Sequence, residues 1–315
     1  MKVLVVDKVD ELLTQGLQDL NFEVLTEYEK SRAELLPELS DVHGLIVRSR
    51  FPVNREFIEA APALKFIGRV GAGMENIDLE AASDAGVSCF RAAEGNRTAV
   101  GEHALGMILM LLNNIRRADS EVRSGQWNRE SNRGYELNGK IVGVVGYGQM
   151  GSAFAEKLSG LGVQVLAFDL YKTGFSAGHV KEAEMEVLFR NADILSLHVP
   201  ETDLTRGMVD EQYLNHFAKN IYLINTSRGK VVQTAGLVRA MKKGKVVGAC
   251  LDVLEYEKSS FENFFEQEIP SDFRYLVESD RTVLTPHIAG WTHEARKKMA
   301  LAILRQIEEL NLTST

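Results

Sequence analysis

Cysteine is nearly absent from this chain: Cys89 and Cys250 are its only two in 315 residues. There is no CxxC pair and no set large enough for a disulfide framework, so a reducing, cytoplasmic setting is expected. An excess of positive charge is missing too. Thirty-six Lys and Arg face 44 Asp and Glu, a net charge of −8. That argues against a nucleic-acid partner, which needs a basic surface, but leaves room for a local arginine cluster that holds a small anion. Long apolar runs are also lacking. The longest, ALGMILMLL at 104–112, falls far short of the ~20 residues that span a bilayer. The apolar run in MKVLVVDKVDELL is too short for the core of a signal peptide. No membrane partner and no metal are expected. Neither a fixed-period repeat nor a low-complexity tract occurs.

What remains is an ordinary globular composition, 45% hydrophobic and 25% charged. Its length suits roughly two domains of about 150 residues. Short β-rich runs alternate with helix-period segments. Strands are predicted at KVLVV (2–6), FEVLT (22–26), GLIVRS (44–49), FIGRV (66–70) and GVSCF (86–90). One long buried helix is predicted over 97–117. A second series follows: IVGVVG (141–146), VQVLAFD (163–169), ILSLHV (194–199), IYLINTS (221–227), VVGACLDV (246–253) and TVLTP (282–286). Buried strands alternating with helices predict α/β architecture with parallel sheets. The last segment, THEARKKMALAILRQIEEL, places Ala295, Met299, Ile303 and Ile307 on one helical face. It is expected to return to the first unit. The predicted domains are therefore 1–96 plus 288–315, and 97–287.

GYGQMG sets Gly146, Gly148 and Gly151 in GxGxxG spacing directly after a strand and at the start of a helical stretch. The first glycine permits a tight turn, the second a close approach to a pyrophosphate, the third close helix–strand packing. The helix N-terminus adds free N–H groups and partial positive charge. The next strand ends in Asp169, 23 residues after Gly146. An acid there accepts from ribose hydroxyls and repels a 2′-phosphate, so NAD is favoured over NADP. Lys172, in the DLYK that follows, is the one basic residue close behind it.

Hydride transfer to or from a carbonyl also needs a proton carrier, and an acidic substrate needs a cation. Three strand ends offer them: Arg228 in INTSRG, Glu255 and Glu257 in LDVLEYE, and His287 in LTPHIAG. Arginine's planar fork matches a carboxylate. Histidine exchanges protons near neutral pH. A carboxylate within reach would orient the imidazole. Taken alone, each of these residues has an unremarkable structural explanation; together with the glycine loop they point to one chemistry.

The ordered set VGAGMENID, GYGQMG, LHVPETDLTRGMV, INTSRGKVV, GACLDV and LTPHIAGWTHEA resembles the D-isomer-specific 2-hydroxyacid dehydrogenase family over nearly the whole chain. The resemblance implies two Rossmann-like domains with a cleft between them, usually in a homodimer. It makes Arg228 the holder of the substrate's carboxylate and carbonyl, Glu257 the partner of the histidine, and His287 the acid–base catalyst. Glu257, not Glu255, matches the family's spacing from DV; the proline often found next is Lys258 here. The resemblance also implies that Gln149 and Met150 offer backbone to the pyrophosphate. His198, Val199, Pro200 and Thr205 would line the adenosine side, and Thr226, Asp252 and Gly290 the nicotinamide end.

The small-residue loop Val70, Gly71, Ala72 and Gly73 would present backbone N–H groups to the substrate's carboxylate. Arg48, Arg69 and Arg129 match basic positions of the branch whose substrate carries a phosphorylated end. The finest expectation is thus oxidation of 3-phosphoglycerate to 3-phosphohydroxypyruvate, a step of serine biosynthesis. A glyoxylate or hydroxypyruvate reductase is the alternative and needs no arginine cluster. A non-catalytic dinucleotide-sensing scaffold is a third reading. The family's usual NxP is replaced by FRAAEGN at 90–96. A chain ending at Thr315 is expected to lack the C-terminal regulatory domain of the longer dehydrogenases, and feedback control through it.

Overall fold

A computed structural model describes residues 1–257 and 269–310; Lys258 lies outside the described residues. The chain divides into two compact units, 1–97 with 291–315, and 98–290.

The first unit holds β1 (Lys2–Val5), β2 (Glu23–Thr26), β3 (Val42–Val47), β4 (Phe66–Arg69) and β5 (Ser88–Arg91) in one parallel sheet of order β2-β1-β3-β4-β5. Between them run α1 (Glu11–Asp19), α2 (Arg32–Leu35), α3 (Arg55–Glu59) and α4 (Leu79–Asp84). Short polar residues stop the chain from fraying at all four of these starts, Ser31 accepting from the Glu34 N–H at the start of α2. Asp10 accepts from the Leu12 N–H, Asn54 from Phe57 and Asp78 from Ala81. Alternate strand residues feed opposite faces. Leu4, Leu45, Val47 and Ile67 join one core; Val3, Val5, Ile46 and Phe66 join the other. The second core is closed by α12 (His293–Glu309), which contributes Met299, Ala300, Ala302, Ile303 and Ile307. Glycines make this docking close: a Cβ on Gly95 would stand 2.5 Å from the Met299 backbone nitrogen.

The predicted single helix over 97–117 is two. α5 (Ala93–Leu112) starts earlier, and α6 (Ile115–Arg123) follows a break at Asn114, which sits at φ +53. Asparagine tolerates that left-handed conformation better than most residues, so apolar periodicity carried across the break while the backbone did not. α5 is also less enclosed than its composition suggests, with Glu102 and Gly106 exposed and Leu105, Leu109 and Met110 half-buried.

The second unit holds β6 (Ile141–Val145), β7 (Gln164–Phe168), β8 (Val180–Glu182), β9 (Ile194–Leu197), β10 (Ile221–Asn225), β11 (Val246–Leu251) and β12 (Thr282–Leu284). All pair in parallel, in the order β12-β11-β10-β9-β6-β7-β8. β8 has only three residues, two of them exposed, too little apolar pattern to read from sequence. The connecting helices are α7 (Gln149–Lys157), α8 (Met185–Asn191), α9 (Glu211–Asn215), α10 (Thr234–Lys242) and α11 (Ser271–Glu278). Strand order reverses between β6 and β9, the place where open parallel sheets bind ligands beyond their carboxyl ends. Among the described residues no helix is long and apolar enough to cross a membrane.

Candidate active site

The glycine loop leaves β6 at that switch point. Gly146 has φ +91, and a Cβ there would stand 2.6 Å from the His198 carbonyl oxygen. Gly151 lies in the first turn of α7, where a Cβ would meet the Gly146 carbonyl oxygen at 2.0 Å. Gly148 differs: it precedes α7 as its N-cap, and a Cβ there would meet nothing within 4 Å. Two of the glycines are thus required by the protein's own packing. The third borders open space at a helix N-terminus, where Gln149 is exposed and Met150 half-buried. That is the cradle a pyrophosphate needs.

Asp169, just past β7, accepts from the Tyr147 N–H at 2.7 Å and from Tyr171 and Lys172 N–H at 3.0 Å each. Its carboxylate is therefore aimed at the glycine loop and keeps acceptor capacity for a ribose hydroxyl. Tyr147 and Phe175 stack at 4.3 Å, and the Lys172 ammonium lies 5.2 Å and 5.8 Å from their ring centres. Thr205 stitches the loop after β9, donating to the Pro200 carbonyl at 2.6 Å and accepting from the Thr202 N–H. Val199 packs beside Gly146.

His198 pairs through Nε2 with the buried Ser196 hydroxyl at 2.8 Å. Burial pushes its imidazole pKa down to about 3, so it stays neutral. Its Nδ1 and the Thr226 hydroxyl, on the ends of neighbouring strands, are buried without a hydrogen-bond partner among the described residues. Buried polar atoms are rarely left so. Orphaned donors and acceptors beside an open glycine cradle fit a polar dinucleotide.

On the far side of β9 the three proposed reacting groups come from three loops. Arg228 is half-buried and donates to the Ser227 carbonyl at 2.7 Å. Its turn is shaped by Asn225, whose amide donates to the Arg228 carbonyl and whose oxygen accepts from the Ser227 N–H and hydroxyl. Gly229 then lets the next loop pass, since a Cβ there would be 1.9 Å from the Leu254 carbonyl oxygen. Glu257 closes that loop by accepting from the Leu254 N–H. Its other oxygen pairs with His287 Nδ1 at 2.9 Å. Glu255 is engaged elsewhere, taking the Thr234 N–H at the start of α10 at 2.7 Å. The two glutamates that residue type alone left open are separated by geometry.

His287 sits at φ +56, a left-handed conformation that costs a non-glycine residue about 1–2 kcal/mol. Asp252, 1% exposed, holds it there. Its carbonyl accepts the His287 N–H at 2.7 Å, and its carboxylate accepts from Ile288 N–H at 2.8 Å, Ala289 N–H at 2.9 Å and the Thr285 hydroxyl at 2.6 Å. The resemblance put Asp252 near the nicotinamide end, while its residue type also allowed a turn cap, and its carboxylate makes the contacts of such a cap. Gly290 follows directly on the clamped turn.

The remaining predicted residues lie on the first unit, except Arg129, which is exposed in a turn after α6. Val70 is buried and donates to the Val47 carbonyl; Gly71 and Gly73 are buried and Ala72 half-buried. Arg69 lies across the loop, so close that a Cβ on Gly71 would stand 1.5 Å from its guanidinium nitrogen. Arg50 and Arg48 contrast. Arg50 donates to the Val6, Glu27 and Lys30 carbonyls at 2.6–2.9 Å and is structural. The half-buried Arg48 guanidinium stacks on Trp291 at 4.7 Å and has no hydrogen bond or ion pair among the described residues. Burial holds its pKa below the ordinary arginine value; Asp7 opposes that, and Arg296 adds to it.

Residues 105–289 match the D-isomer specific 2-hydroxyacid dehydrogenase NAD-binding domain. The chain belongs to that family, and NAD is its cofactor. Among curated relatives, a D-3-phosphoglycerate dehydrogenase of Archaeoglobus fulgidus is 35% identical over 98% of this chain and 56% of its own length. The chain thus spans about half the length of the curated relatives it matches. A glyoxylate reductase from Paecilomyes thermophila superposes with a TM-score of 0.85 at 25% identity, over 98% of this chain and 94% of that one. A D-lactate dehydrogenase from Treponema pallidum gives 0.83 at 26%, over 99% and 97%.

Proposed function

We propose that this chain interconverts a D-2-hydroxy acid and its 2-oxo acid with NAD, and that the substrate carries a second anionic group, as 3-phosphoglycerate does. The observation that carries the reaction is the His287–Glu257 pair at 2.9 Å, on a clamped backbone beside the Arg228 turn. With Nδ1 donating to Glu257, Nε2 is the atom that takes the hydroxyl proton on oxidation and returns it on reduction. NAD, when bound, accepts or supplies the hydride. Arg228 supplies a planar fork for the substrate's carboxylate and carbonyl oxygens, and the 70–73 loop supplies the backbone N–H groups of Ala72 and Gly73, those of Val70 and Gly71 being taken by the Val47 and Arg69 carbonyls. Asp169 favours NAD over NADP, and the domains are taken as 1–96 plus 288–315, and 97–287.

The second anion rests on Arg48, a desolvated guanidinium with no hydrogen-bond acceptor among the described residues; Arg69 and Arg129 are the further basic side chains that the resemblance offers for it. A cation in that condition is stabilised by binding an anion. The identity to the Archaeoglobus D-3-phosphoglycerate dehydrogenase supports the same reading, and with that substrate the reaction would be a step of serine biosynthesis. The likeness to the glyoxylate reductase keeps glyoxylate and hydroxypyruvate as the competing substrates. A cytoplasmic homodimer completes the proposal. The test is a panel of 2-hydroxy and 2-oxo acids with NAD(H) and NADP(H). Turnover of 3-phosphoglycerate well above that of unphosphorylated glycerate is expected, and Arg48→Leu should erase that preference. Equal rates on the two acids would sink the phosphorylated substrate. Binding of NAD with no turnover across the panel would favour the scaffold.

A further inference from the structure

α5 is apolar over most of its length, yet it carries His103 one turn before Met107. A histidine on the packed side of such a helix is costly unless its ring is hydrogen-bonded. His103 Nε2 lies 3.0 Å from the Thr285 hydroxyl oxygen and 3.5 Å from Asp252 Oδ1. The direction of the bond follows from proton counting. Thr285 has one hydroxyl proton, and its 2.6 Å bond to Asp252 Oδ1 uses it, because an ionised carboxylate can only accept. The Thr285 oxygen is then an acceptor toward His103, so Nε2 carries the hydrogen. The bonds converge on Asp252: His103 Nε2–H donates to Thr285, Thr285 O–H donates to the Asp252 carboxylate, the Ile288 and Ala289 N–H groups donate to the same carboxylate, and the His287 N–H donates to the Asp252 carbonyl.

We infer that His103 is a positioning residue for the acid–base histidine. It fixes the Thr285 hydroxyl and, through it, the Asp252 carboxylate that holds His287 at its left-handed φ. This rests on the reading of His287 as the proton-transfer group. Strained backbone persists only where its surroundings over-determine it. Two of the donors that hold Asp252 lie in the strained turn itself, so Thr285 and His103 are the links that tie the clamp to a rigid helix. Without them the Asp252 carboxylate can rotate, and His287 loses alignment with Glu257.

The test compares His103→Leu, which keeps the bulk and removes the donor, with His103→Gln, whose amide N–H can still reach Thr285. His103→Leu should lower kcat on the order of tenfold, as misplacement of a reacting group by a fraction of an ångström does, with KM and NAD affinity unchanged. His103→Gln should restore most of the loss. Equal impairment in both variants, or kcat within twofold of the parent in His103→Leu, overturns the inference.

A second readout needs no turnover. In proton NMR the parent should show a low-field signal from the His287 Nδ1–H bonded to Glu257, assigned by its absence in His287→Gln. That signal should persist in His103→Gln and broaden or vanish in His103→Leu. Persistence in His103→Leu also overturns the inference, whereas a parent inactive on every acid but showing the full signal pattern overturns only the dehydrogenase reading.

Discussion

The two sheets are built alike, parallel and covered on both faces, but they bury different things. Among the described residues, the side chains fully enclosed in the five-stranded unit are apolar. The seven-stranded unit also encloses Ser196, Asn225, Thr226, Ser227, Thr234, Asp252 and Thr282. Four of these, Asn225, Thr226, Ser227 and Asp252, lie at or just beyond the carboxyl ends of β10 and β11, and Ser196 lies one residue short of the end of β9. The first unit keeps its polar chemistry on the rim instead, in the 70–73 loop and the arginines around it. An apolar core needs little more than matched volume. A polar interior must satisfy direction as well, because each unpaired group costs about 1–3 kcal/mol. Directional satisfaction lets the second unit hold a histidine in a backbone conformation that packing alone would not keep.

The sharpest way to break this contrast is to remove the group the polar interior serves. His287→Ala should lower turnover about 10²-fold or more, as loss of general acid–base catalysis does, with NAD binding in a fluorescence titration unchanged. Unaltered turnover would leave the buried network without a catalytic purpose. The next effect concerns the glycine loop. Gly151→Ala should destabilise the second unit by roughly 1–3 kcal/mol through overpacking against the Gly146 carbonyl. Gly148→Ala should leave the melting temperature in place and weaken NAD binding alone, since its Cβ points into open space. Similar melting of the two variants would refute that division of labour.

The smallest effect is a slope. The unfolded chain protonates His198 near pH 6.5, the folded one only near pH 3. Between those values the unfolded state binds more protons, so stability rises with pH there and is lost as pH falls below about 6.5. His198 contributes at most ~1.4 kcal/mol per pH unit of that loss. Urea denaturation at pH 7, 6 and 5 should show a shallower acid decline in His198→Asn than in the parent. A slope that does not change would mean that the ring is hydrated in the folded state.

Much of this was legible residue by residue. GYGQMG reads locally because Gly146 and Gly151 answer constraints within a few residues or from the adjoining strand, while Gly148 leaves open space at the helix N-terminus. The strand runs read because period-2 burial is a property of the backbone itself, and Val142, Val144 and Val145 divide between the two faces as that period demands. The break at Asn114 was not legible, since a left-handed residue leaves the apolar pattern on either side intact. Nor were the partners of Asp252. The signal for His103 was present, a lone imidazole in GEHALGMILMLL, but a polar residue in an apolar helix announces only that a partner exists. That partner, Thr285, is 182 residues away.

The sequence by itself determined the parallel α/β architecture, the dinucleotide loop and the three residue types suited to proton and hydride chemistry, because those follow from local backbone rules and side-chain chemistry. Only the tertiary structure decided that Glu255 holds α10 while Glu257, which the resemblance had singled out, faces His287, that Asp252 clamps the histidine's backbone, and that Arg48, unlike Arg50, finds no carbonyl to bind among the described residues. Hydrogen bonds are directional and reach about 3 Å, and which atoms come within that reach depends on how distant strands are brought side by side.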